Sequence, residues 1–210
     1  MTMQASASST TGSMQTWICL LRAVNLGTRN KVSMPRLRPA LEAAGLSDVR
    51  TYLQGGNVIA RSALPSGAVS HLVHEVVADE FGVDACVVVR DTAQMRDAVT
   101  ANPFAAQGAE RPHLVRVIFL AGKPDPARIS EFAGDGSRQM VSRVIGHHVY
   151  VDYVDGVHGN PRTAAYFERV LRVQGTERNW RTVLALQKMS QPETKQESTL
   201  IPASLLSTAT

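Results

Sequence analysis

The chain has 210 residues, 44% of them hydrophobic and 19% charged, and a formal charge of +4. This composition fits an ordinary globular protein and argues against a disordered chain or a densely basic nucleic-acid binder. No apolar run is long enough to span a bilayer, and "MTMQASASSTTGSM" lacks the basic start and apolar core of a signal peptide, so the cytoplasm is the expected setting.

Residues 1–14 read as a disordered lead of small polar residues. "TWICLLRAV" (16–24) is a nearly continuous apolar run and predicts a central strand, followed by a loop over 25–33. "MPRLRPALEAAG" (34–45) predicts a helix that opens on Pro35 and stops at Gly45. "VRTYL" and "NVIARS" predict a strand pair joined at Gln54-Gly55-Gly56-Asn57. "GAVSHLVHEVVADEFG" (67–82) carries Val69, Leu72, Val73, Val76, Val77 and Phe81 on one helical stripe. A strand over 84–90 and a short helix over 92–102 follow.

The order then restarts. Strand 113–122, helix 125–134, the strand pair "RQMVSRVIG" and "HHVYVDYV", and helix 164–173 repeat the first half, while "GTERNWRTVLALQKM" (175–189) reads as a turn and a last helix. Residues 190–210 read as a flexible tail. A βαββαβ order is the ferredoxin-like pattern with an antiparallel sheet. The expected fold is therefore α+β, with two ferredoxin-like subdomains over 15–104 and 105–189, the second lacking its closing strand. The duplication is visible in topology, with no residue-level repeat between the halves. In a 4-1-3-2 sheet, the loop leaving the first strand and the turn joining the second and third lie at one end.

"LLRAVNLG", "KVSMPRLRPALEAAGLSDVRTYLQGGNVI", "VVVRDTAQMRDAVTANPF", "VYVDYVDG" and "TERNWRTV" together resemble the family called domain of unknown function 1697, over roughly residues 16–187. The resemblance implies two ferredoxin-like subdomains in a bacterial-type cytosolic protein and no established activity. The family's turn usually reads Gln-Ser-Gly-Asn, whereas Gly55 stands here in the place of the Ser. After the later Asp-Gly turn the family usually offers Ser-Lys, and here Asn160 and Pro161 precede Arg162.

The topology gathers Arg22, Asn25, Lys31, Gln54 and Asn57 at one sheet end. Two readings of this cluster stand: a pocket for a polar or anionic small molecule, or amides that lock the hairpin to its loop. Arg178, Asn179 and Trp180 form a second candidate, either stacking on a ligand or capping and anchoring the last helix. Asp152 and Asp155 near Arg162 could form an acid–base pair, although Asp155 also suits a turn cap. His71, His74, His147 and His148 read as solvated, with no ligand set for a metal. Cys19 and Cys86 lie inside apolar runs with no CxxC spacing and are expected to be buried and reduced. No GxxxxGK or GxGxxG motif calls for a nucleotide cofactor, and no cofactor is expected. Nucleic-acid binding ranks second to a small ligand, because the RNA-recognition sheet stacks bases on aromatics and the first strand offers only Trp17. An interaction module using an open sheet edge ranks third.

Overall fold

The structure is a computed structural model that describes residues 13–133, 140–154, 156–157 and 159–192. The first half runs β1 (Gln15–Leu21), α1 (Met34–Ala43), β2 (Ser47–Thr51), β3 (Asn57–Ser62), α2 (Ser66–Phe81), β4 (Val87–Asp91) and α3 (Thr92–Thr100). After α4 (Ala105–Glu110), the second half runs β5 (Val115–Leu120), α5 (Pro126–Ala133), β6 (Val141–Ile145), β7 (His148–Asp152), α6 (Ala164–Leu171), β8 (Gly175–Asn179) and α7 (Trp180–Ser190). The expected lead and tail fall, apart from residues 13–14 and 190–192, outside the described residues.

Two four-stranded antiparallel sheets result, ordered β2-β3-β1-β4 and β6-β7-β5-β8. The first is the expected 4-1-3-2 order. The second corrects the expectation of an incomplete half, because "GTERN" is a strand, β8, that closes the sheet beside β5. Its residues are mostly polar, so it lacks the apolar signature of a buried strand.

Alternation along the central strands divides the core into layers. Trp17, Cys19 and Leu21 of β1 face α1 and α2, together with Leu37, Leu41, Val69, Val73 and Val77. Ile118 and Leu120 of β5 face Phe167 and Leu171 of α6. The opposite faces, Ile18 and Leu20 of β1 and Val117 and Phe119 of β5, share one central cluster with Met95 and Ala98 of α3 and Trp180, Val183 and Leu186 of α7. Both faces of each central strand are therefore covered. Trp180 packs so closely on α4 that a Cβ at Gly108 would lie 2.5 Å from its ring. Asn179 caps α7 by accepting the Thr182 N–H, just as Asp91 caps α3 by accepting that of Gln94.

The thiols divide. Cys19 is fully buried, which pushes its pKa up to about 12, whereas Cys86 is only half-buried. Cys86 lies in the segment just before β4, not in mid-strand, and this corrects the expectation that both would be buried.

Candidate functional site

Equivalent backbone contacts align the halves residue by residue. Leu21 N–H bonds to Gly56 O at 2.8 Å, and Leu120 N–H to His147 O at 2.9 Å. Arg22 N–H bonds to Cys86 O, and Ala121 N–H to Gln174 O, both at 2.8 Å. Asn57 pairs with Leu20 as His148 pairs with Phe119. The residue-level repeat absent from the sequence reading thus exists in register, and Arg90 and Arg178 are its clearest trace. Each sits one residue before its helix cap and donates to the carbonyl preceding it, Val89 O or Glu177 O.

Both arginines also cross to the other half. Arg178 Nη2 donates to Leu21 O at 3.0 Å and Gly56 O at 3.1 Å. Arg90 Nη2 donates reciprocally to Leu120 O at 2.6 Å and His147 O at 3.4 Å. Arg178 further donates through Nη1 to Thr176 Oγ1 and through Nε to Asn57 Oδ1. All five of its N–H groups are used on uncharged oxygens. Burial among them lowers its pKa to about 10, and Arg90 is lowered likewise to about 10. Arg178 and Arg90 are thus structural ties between the halves.

This settles where the expected site residues lie. Asn57 is buried, donates to Tyr52 O at 2.8 Å and receives Arg178, so it locks the hairpin to β8. Asn25 donates to Val32 O and Gln54 O and accepts from Val32 N–H, tying the loop after β1 to the turn. The side chains of Lys31 and Gln54 are exposed and lie outside the neighbouring cleft. Arg22 forms a two-pronged ion pair with Glu168 of α6, both contacts at 2.6 Å, and not with the amides. Arg178 and Asn179 line the same cleft as Arg22 and Asn57, whereas Trp180 belongs to the central core.

That cleft has a volume of about 560 Å³ and lies where the loop after β1, the turn before β3, β8 and α6 meet. Its polar floor holds residues the sequence reading missed. Arg116 Nη1 donates to Glu177 Oε1 at 3.2 Å. Burial raises the Glu177 pKa, while Arg116 and Tyr153 act to lower it. The Tyr153 hydroxyl, pushed upward chiefly by burial, donates to Arg162 O at 2.9 Å. These groups were hidden because Arg116 and Glu177 come from strands distant in sequence and only the β5–β8 pairing unites them.

Two other expectations change. Asp152 is buried and pairs with Arg111 at 2.7 Å; burial raises its pKa and Arg111 lowers it. Asp155 lies outside the described residues. His148 is buried rather than solvated, and desolvation together with Arg90 lowers its pKa to about 3. His71 is exposed beside Glu75, and His74 contacts Ala85 O at 3.0 Å. Among the described residues no group of three His, Cys, Asp or Glu side chains could hold a metal ion, and no helix is long and apolar enough to cross a membrane.

The sequence profile described as "Protein of unknown function (DUF1697)" matches residues 14–150, and the chain belongs to that family. A solved structure, the conserved bacterial protein SP0830 from Streptococcus pneumoniae, is similar with a TM-score of 0.66 at 18% identity. The match covers 85% of this chain and 100% of that one and bears on the fold alone. No curated protein matches the chain.

Proposed function

We propose that this member of the DUF1697 family binds a polar or anionic small molecule in the cleft between its halves. The observation that carries this reading is broken symmetry. Arg22, Arg116, Glu168 and Glu177 line the cleft, and their register or contact equivalents are Ala121, Trp17, Ser70 and Val89. Arg116, Glu168 and Glu177 line this cleft and not the opposite one, Arg22 borders both, and none of the four recurs at its matched position. A fold that needed these positions only for packing could fill them alike. Convergent polar groups in a cleft of ligand size mark a binding site by default.

RNA binding through the sheet has less support, because base stacking needs an open face and both faces of β1 and β5 are covered. Strand addition at β4 has less as well, since Ser70 and Arg90 side chains already occupy the Val87 and Val89 carbonyls. The two free thiols suit a reducing cytoplasm.

The test is a thermal-shift screen of small metabolites with Arg116→Ala and His71→Ala alongside the native chain. A ligand of this cleft stabilises the native protein by mass action. The shift should vanish in Arg116→Ala and persist in His71→Ala, which alters the opposite cleft. Shifts that ignore Arg116→Ala would overturn the proposal.

A further inference from the structure

Resting on the cleft as a binding site, we infer that its ligand class is an amphipathic monoanion: an apolar body carrying one carboxylate or similar anionic head. Two sets of observations point to the two ends of such a molecule.

The head is read from the guanidinium groups. Arg22 commits Nε and Nη2 to Glu168, and Arg116 commits Nε and Nη1 to His113 O and Glu177. Arg22 Nη1 and Arg116 Nη2 carry no bond among the described residues, and both side chains line the cleft. With Arg178 and the two glutamates ionised, the lining holds three cations against two anions. The surplus is a single positive charge, which one anionic head neutralises. Arg178 itself has no N–H left for a ligand.

The body is read from the rim. Leu26 and Leu53 are 65% and 60% exposed, and both line the cleft with Val24 and Val157. Leu53 also holds φ at +54°, a left-handed conformation unfavourable for a bulky side chain. A strained backbone that presents a leucine to water is disfavoured twice over in the free protein. Strain of this kind persists at ligand clamps, where binding recovers the exposed surface.

The experiment compares octanoate, hexanoate, acetate, octanol and octylamine by titration calorimetry and thermal shift, on the native chain, Leu53→Asn and Arg116→Ala. Asn tolerates the left-handed region. Leu53→Asn should therefore raise the melting temperature of the ligand-free protein by a degree or more while weakening octanoate at least tenfold. The native chain should prefer octanoate to acetate by more than tenfold and should not bind octylamine. Arg116→Ala should weaken octanoate at least tenfold. Anion binding that needs Arg116 but ignores chain length and Leu53 would overturn this inference and leave the cleft as a site. Loss of binding by Leu53→Asn without a gain in free-state stability would overturn the strain argument. If no compound here or in the metabolite screen gives a shift dependent on Arg116, the cleft reading falls, and this inference with it.

Discussion

The two halves share strand order, register and a pair of crossing arginines, yet the junctions those arginines make are unequal. Arg178 places five hydrogen bonds, one on the Asn57 amide and one on the Thr176 hydroxyl. The matched positions hold His148 and Val88, and Arg90 makes three hydrogen bonds, to backbone carbonyls alone, together with a contact over the Phe119 ring at 5.8 Å. Topology thus fixes where each guanidinium crosses, while side-chain chemistry decides how well it is satisfied. The charged cleft adjoins the better-satisfied junction. For the binding site proposed here, a fully bonded floor would hold the neighbouring groups in place.

The largest expected effect follows directly. Arg178→Ala strips partners from Leu21 O, Gly56 O and Asn57, and should lower stability by roughly 3 kcal/mol or more, because several buried acceptors lose a hydrogen bond from a charged donor. Arg90→Ala should lower it by less. Urea denaturation of the two variants checks the order, and equal losses would dissolve the contrast between the junctions.

Acid should find the weaker junction next. His148 is held neutral, with its pKa lowered from 6.5 to about 3. Between those values the unfolded chain binds the proton and the folded chain does not. Stability therefore falls as pH drops through this window, by up to about 1.4 kcal/mol per pH unit for one proton. The raised Glu177 and Asp152 act in the opposite sense, since their folded forms take up protons first. His148→Asn copies the residue at the matched position of the first half. It should flatten the stability profile between about pH 6 and pH 4, and an unchanged slope would assign acid lability elsewhere.

Asn57→Ala comes third. It removes a donor to Tyr52 O and the acceptor for Arg178, with an expected loss of about 1–3 kcal/mol. The melting temperature of the ligand-free protein is the readout. An undiminished melting temperature would return Asn57 to the role of a ligand contact.

How much of this was legible in the sequence varied with the kind of residue. The nearly continuous apolar run "TWICLLRAV", buried on both faces, and the helical stripe from Val69 to Phe81 were legible as elements, because burial leaves an apolar pattern in sequence. The antiparallel order followed from topology alone. β8 was missed because Thr176 and Arg178 point into a polar junction, so the strand carries no apolar code. The Arg-Asp before α3 and the Arg-Asn before α7 were the available sign of the repeat, each placing an arginine beside a helix cap. The amide cluster was rightly placed at one sheet end, but sequence could not show that Arg22 would find Glu168, 146 positions away. Pairing across halves depends on how the sheets stack, which no local pattern records.

The smallest expected effect separates two adjacent glycines. Gly56 has φ +70°, and a Cβ there would lie 2.5 Å from Val24 Cγ2 and 2.8 Å from Leu21 Cβ. The loop after β1 closes over this turn, so the position is sterically fixed. Its counterpart in the second half is His147, exposed and free of that requirement. Gly55 is different: a Cβ there meets only Asn57 Nδ2, at an ordinary 3.6 Å, and its φ lies outside the left-handed region. Gly55→Ser should therefore fold normally and change stability by no more than about 0.5 kcal/mol. Gly56→Ala should lower it by roughly 1–3 kcal/mol through overpacking. Because Gly55 lines the cleft, the new hydroxyl would add a donor and an acceptor at its edge without disturbing the floor. Chemical denaturation of both variants, paired with octanoate titration of Gly55→Ser, reads the two consequences separately. A large stability loss in Gly55→Ser would show that the turn is held more tightly than its open surroundings indicate.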